Sequence, residues 1–269
     1  DLLLDDPRPE PVIGSSDKTL PLPGQSFKFN GHDAFVILPE DRDSNRDTDT
    51  AADSGVSAAD GPIPWVWYAP TLQGLPSDAE RWMFERLLKA GIAIAGIDVG
   101  ESYGNTLGRD VYEQFYDHLV RSRGFAVRPC LLARSRGGLM LYSWAVQNPH
   151  AVAGIAGIYP VCNLVSYPGI EKAAKAYQLK PYELEFYLAN VNPVDRLAPL
   201  AAARVPIFHL HGDQDAVVPL EANSALLAER YRSLGGPIEL QIIPGQGHNM
   251  WPGWFQSQQL VDFVIQCGR

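Results

Sequence analysis

The stretch from Pro129 to Ala145 constrains the fold more than any other part of the chain. Pro129–Cys130–Leu131–Leu132–Ala133 is a continuous apolar run, as a strand buried on both faces requires. It rises into Arg134–Ser135–Arg136, and Gly137–Gly138 follow at once. A helical pattern then begins with Leu139, Met140, Tyr142, Trp144 and Ala145. Strand, sharp turn and helix therefore succeed one another, with Ser135 at the turn. Such a turn is strained and its helix packs close to the strand, so small residues must flank the serine. Gly137 meets this condition after Ser135, and Ala133 stands where a glycine is usual before it.

The same alternation extends along the chain. Pro64–Ala69, Ile92–Asp98, Ala153–Val161, Val205–His211 and Glu239–Ile243 read as further strands. Ser77-x-x-Glu80 is a capping box that opens a helix carrying Trp82, Phe84, Leu87 and Leu88 and stopping at Gly91. Helical patterns also cover Val111–Arg121, Leu220–Arg232 and Phe255–Gln266. Alternating strands and helices predict an α/β fold, a mostly parallel sheet flanked by helices. Phe27 and Phe29, then Ala34–Leu38, are two strands joined at Asn30–Gly31, a hairpin turn signal.

With 269 residues and an ordinary apolar fraction, a single domain over residues 1–269 is expected. Residues 1–24, rich in Pro and Asp, read as a surface segment, and the acidic residues 40–61 read as a solvated loop. Residues 163–200 mix Tyr, Pro and short helical runs. A net charge of −9 without any Lys/Arg cluster argues against a nucleic-acid surface. No apolar run reaches the roughly 20 residues of a membrane span. The chain opens at Asp1, which is compatible with export or periplasmic placement after removal of a leader, and equally with a cytoplasmic protein. Cys130, Cys162 and Cys267 are too few and too scattered for a disulfide framework and read as buried small residues. No cluster has metal-ligand spacing, so no metal is expected; the glycines near residue 100 lack a dinucleotide fingerprint, and no cofactor is expected.

Two other segments bear on chemistry. His211–Gly212–Asp213–Gln214–Asp215–Ala216–Val217–Val218–Pro219 ends the strand Val205–His211. Ile242–Ile243–Pro244–Gly245–Gln246–Gly247–His248 is a strand end, a Gly-rich loop and a histidine. A serine hydroxyl needs a base, an imidazole serves at neutral pH, and a carboxylate orients the imidazole. Ser135, an aspartate (Asp213 or Asp215) and His248 supply these groups in the order Ser, Asp, His, each just beyond a strand. His209 and His211, on the strand, read as core residues.

From about Pro64 onward, these motifs make the chain resemble the α/β-hydrolase superfamily, in its esterase and prolyl-oligopeptidase-like branch. That resemblance implies an antiparallel edge hairpin, a short cap at 163–200, and the catalytic triad Ser135, Asp215 and His248, with Asp213 ordering the turn. It implies an oxyanion hole from the N–H of Arg136 and an N–H of Thr71 or Leu72. Glu101 and Tyr103, on the loop after Asp98, and Tyr159 and Trp251 are then substrate-contact candidates, with Tyr167 and Trp254 as further aromatics on nearby loops. The activity implied is serine-dependent cleavage of carboxylic esters through an acyl-enzyme. The aromatic loops make an esterified carbohydrate the expected substrate. The alternatives are a serine peptidase of prolyl-oligopeptidase type, whose large accessory propeller this length does not accommodate, and a binding protein on a hydrolase fold.

Overall fold

The computed structural model describes residues 10–43 and 61–268. Residues 1–9 of the expected surface segment and 44–60 of the expected acidic loop lie outside the described residues. Nine strands form one sheet: β1 Ile13–Ser15, β2 Gln25–Phe29, β3 His32–Ile37, β4 Trp65–Ala69, β5 Ala93–Ile97, β6 Cys130–Arg134, β7 Gly154–Ile158, β8 Ile207–Gly212 and β9 Ile238–Ile243. Their spatial order is β1-β2-β3-β5-β4-β6-β7-β8-β9. The pairs among β1, β2, β3 and β5 through β3 are antiparallel, and every pair from β5 to β9 is parallel.

The helices are α1 Glu40–Asp43, α2 Arg81–Lys89, α3 Thr106–Asp117, α4 Gly137–Ala145, α5 Ile170–Ala176, α6 Pro181–Val191, α7 Ala198–Ala202, α8 Ser224–Ser233, α9 Pro252–Phe255 and α10 Gln258–Cys267. Ser77 and Glu80 form the reciprocal capping box ahead of α2. Asn105 and Ser257 cap α3 and α10 by accepting the N–H of Gly108 and Leu260.

The alternation of element types is as expected, with differences at the element ends: the helix expected from Leu220 begins at Ser224 after a short 3-10 turn, the one expected from Phe255 begins at Gln258 after a break, and four others stand out. The first 24 residues contribute a strand: β1 adds three antiparallel pairs to β2, from Ile13↔Phe29 to Ser15↔Phe27. Its side chains are exposed, so no burial pattern marks it in the sequence. The acidic stretch from 40 begins as the helical turn α1 rather than as loop. The strand expected over Ala153–Val161 ends at Ile158, because Tyr159 turns into the left-handed region with φ 36°. The third helix starts five residues earlier than the pattern Val111–Arg121, at the Asn105 cap, and its last turn, His118–Ser122, widens into a π-turn.

Every residue of α4 is buried, so the helix after Ser135 is apolar all round and runs through the centre of the protein. On one face of the sheet, Trp65, Trp67, Tyr112 and Phe115 pack with Trp144 of this helix. Trp67 meets Trp144 with centroids 4.9 Å apart and Tyr112 at 4.8 Å. Burying side chains of this size contributes roughly 2–3 kcal/mol each. The opposite face is covered by α2 and α10, through Met83, Phe84, Leu87, Leu260, Val261 and Val264. A third cluster joins the 163–200 segment to the sheet top: Leu164, Ala173, Ala174 and Leu184 pack with Tyr103, Leu139 and Val161. Among the described residues, no helix is long and apolar enough to cross a membrane.

Candidate active site

Ser135 follows the last residue of β6 and has φ 50°, a left-handed conformation that is costly for a residue with a side chain. Its neighbours hold it there. The N–H of Ser135 donates to Ile158 O at 3.0 Å, and its carbonyl accepts from Gly138 at 3.0 Å and Val161 at 2.8 Å. A Cβ at Gly137 would strike the backbone of Ala69 and Pro70, and one at Gly138 would strike Val161 O. Glycine at both positions lets α4 press against the ends of β4 and β7, which pushes the Ser135 side chain out above the sheet.

His248, in the loop after β9, reaches Ser135: its Nε2 is 2.9 Å from Ser135 Oγ. Its Nδ1 is 2.8 Å from Asp215 Oδ2. Asp215 lies in the turn after β8, and its other oxygen accepts the N–H groups of Val217 at 3.0 Å and Val218 at 2.8 Å. Burial alone would push the Asp215 carboxyl upward. The donors His211, His248 and the Val218 N–H outweigh it and hold the group well below the usual carboxylate range. Asp215 is therefore ionised where it meets His248 Nδ1. Asp213 plays a different part: its Oδ1 accepts the Gly245 N–H at 2.7 Å and ties the β8 turn to the loop leading to His248.

Arg136 opens α4, and no protein acceptor takes its N–H among the described residues. Its guanidinium pairs with Glu101. Thr71 is buried, with its hydroxyl donating to Tyr68 O at 3.2 Å. Lys18, from the N-terminal segment, donates to Thr71 O at 3.0 Å and Leu72 O at 3.1 Å, which pins this loop beside the elbow.

A cavity of about 220 Å³ opens at Ser135, lined by Pro70, Leu75, Arg134, Tyr159, His248 and Met250, among others. A cavity of about 1040 Å³ lies elsewhere, against Phe125, Arg128, Ala153 and Cys267 at the opposite end of the strands; the smaller one holds the reactive groups. Tyr159, expected as a substrate contact, is 2 % exposed, and its ring lies against His248 with centroids 4.2 Å apart. Tyr103 is 3 % exposed and packs in the cap cluster, where its carbonyl accepts from Tyr177. Glu101 stands at the rim on Arg136, and Trp251, at 39 %, is exposed beside the fully buried Trp254.

Sequence reasoning missed Arg134 and Met250. Arg134 Nη1 donates to Glu80 Oε1 at 2.6 Å, and Nη2 donates to Met250 Sδ at 3.1 Å. The fully buried Glu80 also accepts from Tyr68 Oη at 2.8 Å and from the Ser77 N–H at 2.9 Å. Position alone was the available signal: Arg134 directly precedes Ser135, and Met250 follows His248 by two residues.

A serine, a histidine and a buried aspartate in hydrogen-bonded sequence on the carboxyl ends of parallel strands define a serine hydrolase with the α/β-hydrolase fold. The chain belongs to the prolyl oligopeptidase family, whose model matches residues 117–264, more than half of its length. No curated protein sequence matches it. Among solved structures, it is similar to Est1E from Butyrivibrio proteoclasticus, with 16% identity, a TM-score of 0.61, and coverage of 91% of this chain and 98% of that one. A puromycin-hydrolysing peptidase of Mycobacterium tuberculosis gives 17% identity, a TM-score of 0.64 and coverage of 87%, but the chain spans only 38% of that protein. An S-formylglutathione hydrolase from Agrobacterium tumefaciens gives 15% identity and a TM-score of 0.65 over 88% of this chain and 89% of that one.

Proposed function

We propose that the protein hydrolyses carboxylic esters with short acyl groups through an acyl-enzyme on Ser135. The observation that carries this reading is the unbroken Ser135–His248–Asp215 hydrogen-bond series opening into a small cavity. Ser135 Oγ attacks the ester carbonyl while His248 Nε2 takes its proton. Ionised Asp215 holds the Nδ1–H and stabilises the imidazolium. The tetrahedral oxyanion forms at the start of α4, where the Arg136 N–H and the helix dipole favour negative charge, with the second donor from Thr71 or Leu72. His248 then gives the proton to the departing alkoxide. A water activated by the same imidazole releases the acid.

Pro70, Leu75, Tyr159 and Met250 bound the cavity closely, which favours acetyl-sized over long acyl chains. For a sugar alcohol, the aromatic faces on offer are Trp251 and the half-buried Tyr167, since Tyr103, Tyr159 and Trp254 are buried.

Family membership favours a second reading, peptide hydrolysis, in which the same triad cleaves an amide. One panel separates these readings: p-nitrophenyl esters of short and long acids, acetylated sugars and aminoacyl anilides, each with wild type and Ser135→Ala. Turnover of short esters that is lost in Ser135→Ala supports the proposal. Turnover confined to anilides replaces it with the peptidase reading. Absence of fluorophosphonate labelling at Ser135 rejects the catalytic assignment itself.

A further inference from the structure

Behind the catalytic aspartate lies a buried row of polar side chains that the mechanism above leaves unused. Tyr142 of α4, His209 and His211 of β8, and Ser224 at the start of α8 are all buried at 1 % exposure or less. Tyr142 Oη is 2.8 Å from His209 Nε2, and His209 Nδ1 is 2.9 Å from Ser224 Oγ. Ser224 Oγ is 2.8 Å from His211 Nδ1. His211 Nε2 is 2.8 Å from Val218 O and 3.4 Å from Asp215 Oδ2, the oxygen that faces His248.

We infer that His211 is a positioning residue for Asp215 and that Ser224, His209 and Tyr142 fix the tautomer it needs for this role. The carbonyl of Val218 only accepts, so His211 must carry a proton on Nε2. Its Nδ1 is then assigned as the acceptor, and it takes the single hydroxyl proton of Ser224. Ser224 Oγ has no proton left for His209, so His209 Nδ1–H donates to it. His209 Nε2 is bare and accepts from Tyr142. Burial keeps the His209 ring neutral, with its pKa lowered to about 3, so one of its two nitrogens is free to accept.

Every proton in the row therefore points toward Asp215. His211 acts there twice. Its short arm holds the Val218 carbonyl, and the N–H of that same residue donates to Asp215 Oδ1 at 2.8 Å. Its long arm puts positive hydrogen density beside Oδ2, which draws charge from the oxygen that orients His248. The charged and titratable groups around the Asp215–His248 pair are His211 from β8, Tyr159 after β7, and Arg134 and Arg136, which line the same cavity as His248; Asp213, on the same turn, bonds the Gly245 N–H. Of these, His211 brings a ring nitrogen to the same oxygen that His248 meets, at 3.4 Å against 2.8 Å.

The inference rests on Ser135 catalysis for its kinetic readout but not for its spectroscopic one. Two-bond ¹⁵N–¹H correlation spectra of histidine-labelled wild type should show His209 protonated on Nδ1 and His211 protonated on Nε2. A proton on His211 Nδ1 overturns the proposal whether or not the enzyme is active. Short-ester kinetics then test the consequence. His211→Phe removes the donor, leaves Asp215 more basic, and makes His248 hold its proton more tightly. The acid limb of kcat/KM should move up by about half to one pH unit, and kcat should fall on the order of tenfold with KM little changed. His211→Gln, whose amide offers an N–H at the position of Nε2, should restore most of both. Tyr142→Phe, which removes only the outermost hydroxyl, should move both in the same direction by less. A folded His211→Phe with the wild-type pH profile, or a Gln variant no better than Phe, overturns the role assigned to His211.

Discussion

The ring of Tyr159 lies on the imidazole of His248, with centroids 4.2 Å apart and planes at 47°. Tyr159 is in turn wedged by Trp254, edge-on at 5.4 Å, and has the left-handed φ of 36°. The imidazole is thus supported on a face as well as through both nitrogens. Tyr159→Ala is expected to lower kcat by roughly tenfold or more through a loosened His248, with Asp215 and Ser135 intact. Fluorophosphonate labelling rates of Ser135 in the two proteins check this directly.

The two aspartates of the β8 turn should separate cleanly. Asp215→Asn removes the negative charge from His248 and should cost about 10⁴ in kcat. Asp213→Asn keeps an acceptor for the Gly245 N–H and should cost little. Parallel kcat measurements decide, and the reverse ranking would show that the acid has been misassigned.

Glu80→Gln should be strongly destabilising although Glu80 touches no substrate. It removes the charge opposite Arg134, whose side chain is only 11 % exposed, and leaves that guanidinium uncompensated. Breaking a buried pair from one side costs about 3–5 kcal/mol. Urea denaturation at neutral pH, with Ser135 labelling of the protein that remains folded, separates lost stability from lost chemistry.

Acid sensitivity follows from His209. In the folded protein its pKa is lowered to about 3 from an ordinary 6.5, so the unfolded chain binds its proton first as pH falls. The stability contributed by the neutral ring is complete above about pH 6.5 and is lost progressively as pH falls toward 3, by up to about 1.4 kcal/mol per pH unit. Urea midpoints of wild type across that range should fall, and those of His209→Gln should fall less steeply.

Gly137→Ala should disturb both fold and site. The added methyl meets the backbone of Ala69 and Pro70, which cannot swing aside as a side chain can. An overpacking cost of about 1–3 kcal/mol is expected, with a loss of Ser135 labelling as α4 shifts. A melting temperature and labelling rate equal to wild type would contradict the close-packed elbow.

Legibility in the sequence followed local causes. The elbow was readable because strain demands small residues beside Ser135, and the capping box because Ser77 and Glu80 signal each other at fixed spacing. β1 was not, since three exposed residues carry no alternation. Tyr103 and Tyr159 looked available on loops, but both have positive φ and turn inward, a backbone choice that their residue types do not announce. The buried row behind Asp215 left one trace: His209 and His211 are two apart on a strand and so share a face. Their link, Ser224, comes 13 residues after His211 and has no sequence pattern tying it to them.

Ser135 and His248 are 113 residues apart, and their contact depends on β6 through β9 lying in register. A bond with that sequence separation forms only after the long loops between those strands have closed. Labelling of Ser135 during refolding would therefore serve as a clock for completion of the parallel half of the sheet. It should lag behind fluorescence from the tryptophans around α4, whose partners are nearer along the chain.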